Sequence, residues 1–159
     1  MKLKTITWKL RDPREVYADI PNIKATDLKK TTCPEDLYNQ FKFLFENETV
    51  EKFVVFWLAT NNKVTGFEII STGSLNGCIV SPREVFRGAI VNNCANIIVA
   101  HNHPSGNLDV SNEDISITKK IKQTGEIIGV ELFDHVIFTD NGYTSFVGKR
   151  LIWRFTLIK

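Results

Sequence analysis

The chain has 159 residues and a mass of 18.1 kDa, the size of one compact domain with short appendages, so a second independent domain is not expected within it. Hydrophobic residues make up 43% and aromatics 11%, enough to fill a core and to exclude disorder as the dominant state. Twenty Lys and Arg against 18 Asp and Glu leave a net charge of +2, so no global field draws a polyanion or an acidic membrane. The N-terminal MKLKTITWKLRD interrupts its apolar residues with charge, and no apolar run approaches the ~20 residues of a membrane span. A cytoplasmic protein without a signal peptide or a membrane partner is expected. Cys33, Cys78 and Cys94 are widely spaced and form no C-x-x-C pair, which argues against both a disulfide framework and a thiolate zinc cage.

In chain order, Ile6, Trp8 and Leu10 alternate with polar neighbours as in a half-buried strand, and residues 12–31, with Pro13 and Pro21, read as an irregular connection. Thr32 as N-cap, with Glu35 three residues on, opens a helix whose apolar stripe is Leu37, Phe41, Leu44 and Phe45. The apolar run 52–59 reads as a strand covered on both faces, turned by Asn61-Asn62-Lys63 into a second strand over 64–71. A third strand is expected over 75–80. Ser81-Pro82-Arg83-Glu84 then starts a helix carrying Val85, Phe86, Ala89 and Ile90. The run 96–100 is another buried strand, and it leads directly into His101-Asn102-His103-Pro104-Ser105-Gly106. Ser111 caps a third helix reaching about Thr124, with Gly125 as its stop. Segments 130–139 and 143–147 form a hairpin, and 151–158 a last strand. Strands interleaved with helices imply an α/β fold, a mixed sheet flanked by helices.

The chemistry concentrates after the strand over 96–100. Residues i and i+2 of an extended chain point to the same side, so His101 and His103 can converge on one ion at about 2.0–2.1 Å. On the third helix Asp114 shares a stripe with Ile117, Thr118 and Ile121, which turns its carboxylate inward, where a charge needs a partner. Ser111 and Asp114 have capping-box spacing, and the roles of cap and ligand are compatible. Two imidazoles and one carboxylate leave a fourth tetrahedral position for water, the pattern of a hydrolytic rather than a structural zinc. His135 competes with Asp114 as third ligand but is favoured as a supporting histidine behind the site.

H-x-H, seven residues, then S-x-x-D is the JAMM motif of the JAB/MPN+ metalloproteases. With HNHPSGN, the preceding SPREVFRGAI and the later LFDHVIF, the chain resembles the bacterial RadC-type branch of that family over roughly residues 32–147. The resemblance implies a JAB/MPN-like, cytidine-deaminase-like architecture, here with extra terminal strands: a lead-in over 1–31, the metal-dependent domain over 32–147, and a strand extension over 148–159. It also implies a glutamate at the start of a buried strand, a placement that Glu51 matches better than Glu68 or Glu84. Zn2+ held by His101, His103 and Asp114 would acidify a water whose proton Glu51 takes and returns to the leaving amine, while the Ser111 hydroxyl meets the developing oxyanion. Asn102 and Asn107 are candidates for positioning substrate or water.

The expected activity is hydrolysis of a peptide or isopeptide bond in a peptide or protein substrate. The RadC branch also carries a DNA-repair name, so the alternative is an accessory module for nucleic acid with structural or vestigial metal, its best basic patch being Lys119, Lys120 and Lys122. A zinc nucleobase deaminase would need a P-C-x-x-C that the chain lacks. Leu151, Trp153, Phe155 and Leu157 alternate with Ile152, Arg154, Thr156 and Ile158, and this apolar-faced strand is expected to pair with the N-terminal strand or with a second subunit in a homodimer.

Overall fold

The computed structural model describes residues 29–73 and 80–152. The strands expected around Ile6 to Leu10, most of the strand over 75–80, and all but the first two residues of the C-terminal strand lie outside them. Leu151 and Ile152 themselves sit in a bend, where Leu151 N–H donates to Phe146 O at 2.8 Å.

Among the described residues five strands form one mixed sheet: β1 (Lys52–Leu58), β2 (Val64–Thr72), β3 (Asn96–Asn102), β4 (Glu131–Thr139) and β5 (Gly142–Ser145), in the order β2-β1-β3-β4-β5. Pairing is antiparallel except between β3 and β4, which run parallel. A parallel pair needs a crossover, and helix α3 (Asn112–Ile128) supplies it. The C-terminal ends of β3 and β4 therefore lie side by side, with the loop over 103–111 and the first turn of α3 above them, the usual position of a site in an α/β sheet.

The run 52–58 is buried almost throughout because helices cover both faces. Phe53, Val55, Trp57, Ile97, Val99 and Ile137 pack with Val85, Phe86 and Ala89 of α2 (Pro82–Val91) and Ile121 of α3. On the other face Val54, Phe56, Leu58, Ile98, Ala100 and Phe138 pack under Leu37 and Phe41 of α1 (Pro34–Phe41) and Phe45 beyond it. The mixed α/β sheet expected from the sequence is what the chain forms.

Several local boundaries differ from the sequence expectation. Helix α1 takes Cys33, not Thr32, as N-cap, because Asp36 rather than Glu35 reaches back: its Oδ2 accepts from Thr32 N–H at 2.7 Å, Thr32 Oγ1 at 2.6 Å and Cys33 N–H at 3.1 Å. Strand β3 continues through His101 and Asn102, while β5 stops at Ser145. Gly125 does not stop α3, which runs to Ile128 with Gly129 as C-cap. Gly125 is instead a close-approach position: a Cβ there would lie 2.4 Å from Val130 O and 3.2 Å from the Phe86 ring. Gly125→Ala is expected to cost about 1–3 kcal/mol through overpacking, read as a lower urea midpoint. An unchanged midpoint would show that α3 shifts freely against β4.

Candidate metal centre

His101 lies next to the end of β3, fully covered, its ring lying parallel to that of its cross-strand neighbour Phe53. Past Asn102 the chain turns. His103 O accepts from Gly106 N–H at 2.9 Å, with Pro104 and Ser105 between them, a turn in which Pro is preset at the second position. Gly106 then takes φ 76, a conformation that a side chain would strain. The reversal brings the carbonyl of Asn107 to 2.8 Å from His103 Nδ1. A carbonyl only accepts, so Nδ1 carries the hydrogen, and in the neutral ring Nε2 keeps a bare lone pair.

The third group comes from α3. Ser111 is its N-cap: Ser111 Oγ accepts from Asp114 N–H at 3.0 Å, and Asp114 Oδ2 accepts from Ser111 N–H at 2.9 Å. This reciprocal box fixes the Asp114 carboxylate at the helix mouth, and its other oxygen, Oδ1, is buried without a hydrogen bond. His101 Nε2 lies 3.0 Å from His103 Nε2 and 3.2 Å from Asp114 Oδ1, and His103 Nε2 lies 3.8 Å from Asp114 Oδ2. Tetrahedral bonds of about 2.0–2.1 Å put neighbouring ligand atoms about 3.3 Å apart, a value these distances bracket. One donor atom from each of the three lies within 4.8 Å of the other two, the only such His/Cys/Asp/Glu group among the described residues. Burial would raise the Asp114 carboxyl, but the close approach of His101, with the Ser111 hydrogen bonds, holds it below the ordinary carboxylate range. A buried carboxylate oxygen without a hydrogen bond, grouped with two imidazole nitrogens inside the protein, suits a divalent cation.

The other residues singled out from the sequence have varied places. His135 is not in the cluster. It lies behind His101 on β4, its Nε2 2.7 Å from His101 Nδ1 and its ring stacked on Phe146. Burial holds its pKa well below the ordinary value, so it is neutral. Asn102, buried, points across the sheet: its Oδ1 accepts from Lys52 N–H at 2.7 Å and its Nδ2 donates to Val50 O at 3.1 Å. It thereby brackets Glu51, whose own carbonyl accepts from Gly73 N–H at 2.8 Å. Glu51 stands one residue before β1, half-buried and outside the three-ligand cluster. The exposed side chain of Asn107 accepts from Asp109 N–H at 2.9 Å, so what this residue offers the site is its carbonyl. Glu68 is paired with Arg87 and Glu84 lies in the first turn of α2. Lys122 pairs with Glu126 at 3.3 Å, leaving Lys119 and Lys120 as the exposed members of the proposed basic patch.

Two structural supports were not legible as such in the sequence. Asp134, buried on β4, accepts from His135 N–H at 2.8 Å, Val147 N–H at 3.0 Å and the Ser145 hydroxyl. Its signal was a carboxylate in the otherwise apolar stretch LFDHVIF, where an unpartnered charge is costly. Thr118, buried beneath Asp114, contacts His135 Nδ1 and the Asp114 carbonyl.

Two histidines and an aspartate at the C-terminal end of a buried strand, with the aspartate held by the cap of the next helix, define a JAB-type α/β domain. The chain belongs to the RadC-like JAB domain family, whose model matches residues 31–151. It is 39% identical over 117 residues to a UPF0758 protein of Methanosarcina mazei, covering 74% of this chain and 51% of that one. A UPF0758 protein of Geobacter sulfurreducens is 38% identical over 124 residues, covering 78% and 54%, and one of Clostridium beijerinckii 43% over 139 residues, covering 87% and 61%. The chain thus spans between half and two thirds of the length of these curated relatives. No helix among the described residues is long and apolar enough to cross a membrane.

Proposed function

We propose that this chain is a zinc-dependent hydrolase of the JAMM type that cleaves a peptide or isopeptide bond. The observation that carries the reading is the buried Asp114 Oδ1, without a hydrogen bond and 3.2 Å from His101 Nε2, which itself lies 3.0 Å from His103 Nε2. His101, His103 and Asp114 would hold the zinc, which when bound supplies the Lewis acidity that makes water a nucleophile near neutral pH.

The remaining steps belong to the chain's own groups. Glu51, held in place on both sides by the Asn102 amide and by Gly73 N–H, accepts a proton from the attacking water. The water oxygen bonds to the carbonyl carbon, the C–N bond breaks, and the proton passes from Glu51 to the departing amine. Ser111 Oγ serves as acceptor towards Asp114 N–H, a bond that does not use its own hydrogen, so the hydroxyl is able to donate to the oxyanion. The fourth side of the cluster opens at His103, the one partly exposed ligand, next to a hollow of about 190 Å³ lined by Tyr38, Lys42, Asn102, Phe138 and Asp140.

The test is a panel of quenched-fluorescence peptides and lysine isopeptides offered to zinc-loaded protein, with products identified by mass. Release of a new amine by wild type but not by Glu51→Gln supports the reading. Absence of cleavage across the panel, or equal cleavage by both proteins, counts against it.

A further inference from the structure

The groups behind His101 form a chain of hydrogen bonds whose direction is fixed at its far end. Thr118 Oγ1 touches the main-chain carbonyl of Asp114, one turn back on α3, and His135 Nδ1. The carbonyl only accepts, so the hydroxyl hydrogen goes to it. Oγ1 then offers His135 a lone pair, and His135 Nδ1 must carry the hydrogen of that bond. In a neutral imidazole the second nitrogen is then bare. His135 Nε2 is therefore the acceptor in its 2.7 Å contact with His101 Nδ1, the hydrogen comes from His101, and His101 Nε2 presents its lone pair to His103 and Asp114.

We propose that Thr118 and His135 are positioning residues that set the tautomer of His101 for metal binding. The first turn of α3 then supplies two things from one residue: the carboxylate of Asp114 as ligand, and its carbonyl as the fixed end of the relay that prepares His101. The opposite polarity is the competitor. Were Thr118 to donate to His135, a hydrogen on His135 Nε2 would face His101 Nδ1, and His101 would turn Nε2–H towards Asp114 Oδ1, where no metal could be coordinated. That arrangement leaves the Asp114 carbonyl, adjacent to Oγ1, without the threonine hydrogen. Partners of a metal-ligating histidine's far nitrogen typically govern affinity by 10- to 100-fold. The inference rests on the reading of His101, His103 and Asp114 as ligands.

Two measurements test it. Two-bond 1H–15N NMR of the histidine rings at about pH 8 should show His135 as the Nδ1–H tautomer in metal-free and zinc-loaded protein alike. Thr118→Val, which keeps the shape and removes the hydroxyl, should weaken zinc binding by about 10- to 100-fold, with Thr118→Ser returning it to within a few-fold of wild type. An Nε2–H tautomer of His135, or wild-type zinc affinity in Thr118→Val, overturns the relay alone. A wild-type chain that binds no zinc overturns the metal reading and the role assigned here. The two failures are told apart because the tautomer is read without metal.

Discussion

Glu51→Gln is expected to lower turnover of a cleavable peptide or isopeptide by at least about a hundredfold, the lower end of what a positioned acid–base contributes, and to leave zinc in place. Glutamine preserves size and hydrogen-bonding reach but cannot take up a proton. The residue lies outside the three-ligand cluster, so its charge is not needed to hold the ion. Its main chain is held by Asn102 on one side and Gly73 on the other, so the substitution leaves the backbone where it is. Single-turnover rates and zinc content on the same preparation check both halves of the expectation. Equal rates in the two proteins would assign the base to another group.

Asp134→Ala is expected to destabilise the fold by roughly 3 kcal/mol. The carboxylate is 1% exposed and accepts from three donors, the N–H groups of His135 and Val147 and the Ser145 hydroxyl. Each buried donor left without an acceptor costs about 1–3 kcal/mol. Ser145 Oγ also accepts from Gly148 N–H at 2.9 Å, so the loss spreads into the turn that follows β5. Asp134→Asn, which keeps one acceptor oxygen, should cost less. Urea unfolding measures both. A change below about 1 kcal/mol for the alanine variant would show that water replaces the carboxylate.

The parts of the site legible in the sequence are those written within a few residues. The spacing of His101 and His103 at a strand end, the Ser111–Asp114 box, and the inward stripe of Asp114, Thr118 and Ile121 all depend on local geometry of strand and helix, and the structure places those residues accordingly. The family resemblance pointed to Glu51, which residue pattern alone did not separate clearly from Glu68. The rest depends on sheet order. Asn102 reaches Val50 and Lys52 only because β1 lies antiparallel beside β3, and His135 reaches His101 only because β4 lies parallel on the other side. No periodicity encodes which strands become neighbours. A glycine near a helix end resembles a stop, but the need for Gly125 is set by Phe86 on α2 and by the Val130 carbonyl just past the end of α3.

The central claim is that His101, His103 and Asp114 form a zinc site, and metal content per chain tests it most directly. Protein purified without a metal-binding tag, analysed by elemental mass spectrometry after dialysis, should carry about one zinc per chain. His101→Ala and Asp114→Ala should lose it and Glu51→Gln should keep it, because removing a ligand opens the site whereas removing the base does not. Absence of zinc from wild type after incubation with the ion, or full zinc occupancy in Asp114→Ala, would contradict the account.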